Sequence, residues 1–348
     1  MDRVIGERDL ESVPFSAEEA IALYRDVVRT RQFDERALAL QRRGWMSGYP
    51  PFRGQEGSQV GAAHALSADD WLFPTYRSNA MQIAYGVPMS DIFRFRRGHP
   101  EYASDHDLNV FPQSVPIATQ IPHAAGAGMA ATHADADHAV VCYFGDGATS
   151  EGDFHEGLNF AGVFDAPVVF FCENNGWAIS MPSERQTASD TIAVKADAYG
   201  FEGVRVDGND PLAVRETAAD ALERAREGTP VLVESLTYRQ GAHTTSDDPS
   251  RYRFERDDLP EWRTADPLER YERYLREQEV LDDDLIETIH EDAAAEVDRA
   301  VEIAEETPHP DLEDVFEPVY ERRPPRLAEQ QAWLEEFATE RDHGELEY

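Results

Sequence analysis

Residues 139–180, AVVCYFGDGATSEGDFHEGLNFAGVFDAPVVFFCENNGWAIS, constrain this chain more than any other stretch. Residues 139–144 form a short apolar run rich in β-branched and aromatic side chains, the pattern of a strand buried on both faces. The run breaks at Gly145-Asp146-Gly147, where glycine permits tight backbone geometry and close approach to a ligand. A helical stretch follows, and then a second buried strand over 167–172 that ends in Asn174-Asn175-Gly176. Asp146 and Asn175 therefore stand just past the ends of two strands that flank one helix. In a right-handed strand–helix–strand unit both ends lie on the same edge of a parallel sheet, the edge where ligands bind.

An acidic oxygen and an amide oxygen at one point suit a hard divalent cation, magnesium above all when it also holds a phosphate. The glycine turn and the helix start behind it offer N–H groups to the same phosphate. A lone Gly-Asp-Gly would more often be a structural turn. Paired with Asn-Asn after twenty-six intervening residues, and set between two buried strands, it specifies a site.

The whole chain bounds the rest. Its 348 residues hold one large domain or two ordinary ones. No apolar run approaches a membrane span, and MDRVIGERDLESV lacks an apolar signal core, so a cytoplasmic location is the expectation. Cys142 and Cys172 fall inside apolar runs and read as buried thiols. With 32 basic against 69 acidic residues the net charge is −37, which leaves no basic stripe for nucleic acid. Disorder is the plain explanation of such charge, but 41% hydrophobic residues and clear strands oppose it. A folded protein in a very salty cytoplasm is the better reading, because a Debye length of about 3 Å at 1 M salt suppresses self-repulsion.

Along the chain, Ser16 followed by Glu18 and Glu19 opens a capped helix that runs towards Gly44. After the turn-rich SGYPPFRGQEG, a helix with small residues covers 57–66, and Glu56 reads as a first-turn glutamate rather than an acid at a site. Tyr76 and Arg77 sit in a loop before a helix over 80–85; an arginine fork there matches a phosphate. Residues 98–112 are loop-like, and 114–132 begin as loop and become an Ala/Gly-lined helix, open to a close neighbour. Beyond the central motif come a polar loop, a short helix over 191–199, a strand in GVRVDGND, an amphipathic helix over 211–227 and a buried strand in PVLVESLTYR. This alternation predicts an α/β fold, a parallel sheet with helices on both faces. The polar loop over 238–253 follows a strand end, which puts it on the ligand edge as a candidate lid. From Asp266 two acidic amphipathic helices follow, and then a tail with a final acidic helix.

Assembled in order, LQRRG, PTYRSN, ATQIPHAAGAG, GDGATSEGDFHEGLNFAGV, ENNGWAIS, VDGND and GAHTTSDDPSRYR resemble the alpha subunit of the thiamine diphosphate-dependent decarboxylase component of 2-oxo acid dehydrogenase complexes. The resemblance spans about residues 16–335. It implies a thiamine diphosphate-binding fold with N-terminal helices over 1–45, the cofactor-binding α/β domain over 46–262, and an acidic helical extension over 263–348 packed on that domain. Tyr76 and Arg77 match residues that hold the diphosphate. Asp146, Asn175 and the backbone carbonyl of Trp177 match magnesium ligands. Gly147 and Ala148 match backbone contacts to the diphosphate, Val115 and Ile117 backbone contacts to the aminopyrimidine ring. His243, with Arg239 beside it, matches a histidine at the mouth of the cofactor channel. In branched-chain members Ser114, Pro116, Thr119 and Gln120 correspond to a potassium-binding loop, with Val115 and Glu173 standing where those members carry serine and arginine. Thr244 falls where animal members carry a phosphorylated serine.

The implied reaction is decarboxylation of a 2-oxo acid with acyl transfer to a lipoyl group on a dihydrolipoyl acyltransferase core; pyruvate is the first expectation for the substrate, branched-chain 2-oxo acids the second and acetoin the third. The glutamate that activates the aminopyrimidine comes in this family from a beta subunit, so the chain is expected to be half an active site in a two-alpha, two-beta assembly. An inactive paralogue kept for assembly is the alternative of another class; intact metal ligands at Asp146 and Asn175 argue against it.

Overall fold

The computed structural model describes residues 1–104, 106–113, 115–252, 259–308, 311–317 and 320–340. A five-stranded, all-parallel sheet runs through its centre, built from β1 (Trp71–Phe73), β2 (Val140–Gly145), β3 (Val168–Asn174), β6 (Glu202–Asp207) and β7 (Val231–Leu236) in the order β1-β2-β3-β7-β6. A small antiparallel ribbon, β4 (Trp177–Ala178) with β5 (Met181–Pro182), stands beside the end of β3, where the central motif passes into the polar loop and the residue pattern shows no strand. The helices are α1 (Ala17–Arg42), α2 (Glu56–Ala63), α3 (Asn79–Tyr85), α4 (Met89–Arg96), α5 (Gln120–Ala134), α6 (Gly152–Val163), α7 (Pro211–Arg226), α8 (Glu261–Thr264), α9 (Pro267–Glu277), α10 (Asp283–Glu306) and α11 (Pro325–Glu340). Of these, α4 is an element that the residue pattern did not reveal. No helix of the described residues is long and apolar enough to cross a membrane.

Alternate residues of the central strands feed two separate cores. Val141, Tyr143, Val169, Phe171 and Val233 join a core with side chains of α1–α4, α7, α9 and α10. Val140, Cys142, Phe144, Val168, Phe170, Cys172 and Leu232 join another with α5 and α6. Period-two alternation with both sides apolar is what a sheet covered on both faces requires. Both cysteines are free and buried in the second core.

The layers are locked by local chemistry. Ser16 and Glu19 form a reciprocal capping box at the start of α1, satisfying orphan N–H groups there. Arg31 is buried between Glu56 at 2.6 Å and Asp266 at 3.0 Å, joining α1 to the starts of α2 and α9. Glu56 is thus a first-turn residue, as the sequence suggested, but one whose charge is consumed by an arginine. Such a buried pair fixes register more than it adds net stability. Asp34, pushed up to about 7 by burial, accepts from the Tyr49 hydroxyl at 2.7 Å and from the Phe52 N–H at 3.1 Å. It pins the turn that forms one wall of the site.

The Ala/Gly helix α5 uses its small residues mostly inside the chain. A Cβ on Gly128 would lie 2.6 Å from Val168 Cγ2, and one on Gly157 of α6 would lie 2.7 Å from Ile121 Cγ2. Gly126, by contrast, faces open space.

Candidate active site at the carboxyl edge of the sheet

The parallel register pairs Gly145 of β2 with Glu173 of β3, so the chain leaves both strands at the same height. Asp146 and Asn175 come together there because each lies one or two residues further on. The Asn175 N–H donates to the Asp146 carboxyl, and Ser183 beyond the ribbon donates its hydroxyl to Asp146 Oδ2 at 2.6 Å. Asp146 is buried, and burial pushes its carboxyl up. Among the described residues no arginine or lysine forms an ion pair with it. Asn175 donates Nδ2 to Gln55 Oε1 at 2.9 Å, while its Oδ1 receives the Trp177 N–H at 3.1 Å.

The turn that carries Asn175 is clamped from behind. Arg263 of α8 donates to the carbonyls of Thr237 at 2.9 Å and Asn174 at 3.1 Å. The amide of Asn174 spans the Glu234 carboxylate at 2.7 Å and the Gly176 N–H at 3.0 Å. Of the adjacent asparagines, one therefore builds the turn and the next faces the cavity.

Around these residues lies a cavity of about 610 Å³. The residues matched to the cofactor, the magnesium and the channel mouth all reach its wall: Tyr76, Arg77, Val115, Ile117, Asp146, Gly147, Ala148, Asn175, Trp177, Arg239 and His243. Thr244 reaches it as well. Three arginines, Arg77, Arg96 and Arg239, converge on it in a chain whose net charge is −37. They share the wall with Asp146, Glu151 and Glu173, so the cavity offers donors to an anion and oxygens to a cation side by side. Gly147 provides the closest fit. A Cβ there would sit 2.8 Å from the Cβ of Ala178, so only glycine lets the turn lie against the ribbon. Of the residues matched to a potassium loop, Ser114 lies outside the described residues. Thr119 donates its hydroxyl to the Pro116 carbonyl at 3.0 Å, and Gln120 donates Nε2 to the Tyr143 carbonyl at 3.0 Å.

His243 sits between two guanidiniums. Arg77 reaches its Nδ1 at 2.9 Å and its carbonyl at 2.7 Å, and Arg239 reaches the same Nδ1 at 3.3 Å. Guanidiniums only donate, so Nδ1 must accept and the ring hydrogen sits on Nε2. Burial, then Arg77, then Arg239 bring the ring down to about 3. The loop is fixed by Asp247, which accepts from the His243 N–H at 2.8 Å and from the Tyr252 hydroxyl. Its continuation from residue 253 lies outside the described residues.

Several contributors were missed in the sequence. Glu173, buried and pushed up to about 8 by burial, lines the cavity and accepts from Tyr143 at 2.7 Å and Gln55 at 2.9 Å. A lone acid ending an otherwise apolar strand run was the available signal. Gln55 and Gln59, one helical turn apart at the start of α2, gave a weaker one. Arg96, on the unforeseen α4, donates to the Tyr76 carbonyl at 3.0 Å.

Residues 24–313 match the family described as "Dehydrogenase E1 component". The chain belongs to that family. A 3-methyl-2-oxobutanoate dehydrogenase subunit alpha of Mycobacterium tuberculosis is 45% identical over 314 residues, covering 90% of this chain and 85% of the relative. A pyruvate dehydrogenase E1 component subunit alpha of Bacillus cereus is 39% identical over 316 residues, covering 88% and 84%. One from Staphylococcus aureus is 38% identical over 321 residues, covering 90% and 85%. This E1 chain is accordingly of the alpha-subunit type, as its motifs implied.

Membership in the E1 family implies thiamine diphosphate, and the residues present fit it. A buried carboxyl that forms no ion pair among the described residues, an amide oxygen beside it, a glycine turn and three arginines supply a place for a divalent cation and for phosphate oxygens.

The two guanidiniums on His243 generate a direct test. Nitrogen-detected NMR of the ring should show the neutral Nε2–H form still dominant at pH 5, where an ordinary histidine is mostly charged. Arg77→Met removes one of the depressing charges and should move the midpoint upward. A wild-type midpoint near 6.5 would contradict this geometry.

Proposed function

We propose that this chain cradles thiamine diphosphate and magnesium as the alpha half of a 2-oxo acid decarboxylase that works with a beta subunit. The observation that carries the reading is Asp146, buried, forming no ion pair among the described residues, and set against Asn175 at the edge where the arginines converge. Asp146, Asn175 and the Trp177 carbonyl would hold the cation. Tyr76, Arg77 and the N–H groups of Gly147 and Ala148 would hold the diphosphate, and the backbone at Val115 and Ile117 the aminopyrimidine. When bound, thiamine diphosphate supplies the nucleophilic carbon and the electron sink for decarboxylation.

The chain's own residues orient and shield. Arg77 is already held at 2.7 Å from the Pro51 carbonyl, so little side-chain freedom remains to be lost on binding an anion. His243 presents Nε2–H, the form that hydrogen-bonds a substrate oxygen or passes a proton at the channel mouth. An anion seated on Arg77 and Arg239 offsets the charges that depress the ring, so His243 becomes more basic in the loaded site; repeating the ring titration with cofactor present checks this. Acyl transfer to a lipoyl group of an acyltransferase core is the next step in this reading.

A beta partner is supported by the alpha designation of the relatives and by the surface. Val115, Ile117, Ile179 and Met181 are exposed at or beside the cavity mouth, and Phe160, Val163 and Phe164 are exposed at the end of α6. Exposed apolar groups of this size mark contact surfaces. For the substrate, 45% identity to a 3-methyl-2-oxobutanoate dehydrogenase subunit, against 39% to a pyruvate enzyme, favours a branched-chain 2-oxo acid. Glu173 in the ENN segment keeps pyruvate as the second reading. The charge of −37 supports adaptation to high salt; circular dichroism on stepwise desalting should show a falling melting temperature, and an unchanged one would oppose it.

Co-expression with a beta-type partner and assay of pyruvate and branched-chain 2-oxo acids with an artificial electron acceptor tests the reading. The pair should be active, and the chain alone inactive. Asp146→Ala should keep the fold and lose at least ten- to hundredfold in magnesium-dependent cofactor affinity, the scale of one or two charge-assisted contacts of about 1.5–3 kcal/mol. Undiminished affinity in calorimetry would remove Asp146 from the site.

A further inference from the structure

The two ends of an asparagine amide have nearly the same shape, and only hydrogen bonds decide which end faces a cavity. For a residue that offers oxygen to a cation this choice is decisive, because the reversed amide would present N–H groups to a positive charge. Asn175 is buried, and its Nδ2 donates to Gln55 Oε1 at 2.9 Å. Gln55, fully buried, faces the same ambiguity, and its Nε2 donates to Glu173 Oε2 at 2.9 Å.

The chain of choices ends at Glu173. Its Oε2 also faces Nε2 of Gln59 at 3.4 Å, and Gln59 is fixed from its other side, where its Oε1 accepts the N–H groups of Ala80 at 3.1 Å and Met81 at 3.4 Å. Oε2 therefore meets donors only. This holds whether or not Glu173 carries a proton. A neutral carboxyl places its hydrogen on Oε1 towards Tyr143 at 2.7 Å, and that hydroxyl has Ser58 as its other partner at 3.1 Å.

We propose that Glu173 and Gln55 are positioning residues, a directional relay from β3 through the residue that opens α2 to the metal-side amide, which fixes Asn175 with its oxygen towards the cation. The relay reads carboxyl oxygen, Gln55 Nε2, Gln55 Oε1, Asn175 Nδ2, leaving Asn175 Oδ1 on the side where the Trp177 N–H already marks it as the acceptor at 3.1 Å. Outer-shell partners of this kind hold first ligands in the orientation a metal needs. The proposal rests on the thiamine diphosphate and magnesium reading above.

The test uses the full chain purified with its beta-type partner, titrated with Mg2+ at fixed thiamine diphosphate and followed by calorimetry or tryptophan fluorescence, so that binding is read without turnover. Gln55→Leu and Glu173→Leu should each raise the Mg2+ needed for half-binding by about 10–100-fold. The double variant should be little worse than either single change, because both break one relay. Glu173→Gln keeps an acceptor towards Gln55 and a donor towards Tyr143, so it should stay near wild type. Saturating Mg2+ should restore cofactor binding in every variant. If Gln55→Leu fails to fold, Gln55→Asn, too short to bridge both neighbours, carries the same expectation. Unchanged Mg2+ affinity in the folded variants, or a Glu173→Gln loss equal to that of Glu173→Leu, overturns the relay while leaving the cofactor reading intact. A wild-type protein without Mg2+-dependent cofactor binding overturns both.

Discussion

A buried carboxyl that forms no ion pair among the described residues, Asp146, is the constraint around which the carboxyl edge of this sheet is arranged. Leaving a charge out of water costs several kcal/mol unless an opposite charge or dense hydrogen bonding offsets it. Asp146 has a serine hydroxyl and backbone N–H groups, and burial wins over them, pushing the carboxyl up. Several other buried acids are answered by arginine, Glu56 by Arg31, Asp207 by Arg270 at 2.9 Å and Asp70 by Arg226, whereas Asp34 and Glu173 are met by neutral donors. Of the two buried acids that line the cavity, Glu173 is met by Tyr143 and Gln55, and Asp146 stands beside Asn175.

Charge is distributed with the same economy. The chain carries 69 acidic residues, yet the cavity wall collects Arg77, Arg96 and Arg239, each fixed by a backbone carbonyl or a ring nitrogen. Because these guanidiniums are positioned before any anion arrives, binding loses less side-chain entropy than flexible lysines would. The arginines also set the state of His243, whose tautomer follows from the two donors at Nδ1. Its protonation thus depends on what else those arginines bind, and under the proposed function that would couple His243 to occupancy of the diphosphate site.

Much of this was legible from residues 139–180. Two apolar runs with a glycine turn after one and Asn-Asn after the other specify two buried parallel strands, and the sheet geometry then brings Asp146 and Asn175 together. The capping signal at Ser16 placed α1, and the amphipathic run from Asp266 placed α9. The ribbon over Trp177–Pro182 was not legible, because its strands are two residues long and carry no alternation. Nor was α4, whose MSDIFRFR follows a proline and mixes apolar with basic residues in a short span. Gln55 and Glu173 left only weak signals as site residues for a different reason. Their role arises from which end of an amide faces which neighbour, and sequence spacing does not encode that. The identity of the 2-oxo acid is in the same position, since residues around the mouth are exposed to whatever covers them.

The central claim is that Asp146, Asn175 and the Trp177 carbonyl share one divalent cation. Anomalous diffraction from Mn2+ bound together with thiamine diphosphate tests it most directly. The account predicts a single strong peak within bonding distance of an Asp146 carboxyl oxygen, Asn175 Oδ1 and the Trp177 carbonyl oxygen, with the Asn175 nitrogen still turned to Gln55. A peak elsewhere in the cavity, or cofactor bound with no metal at that position, would contradict it.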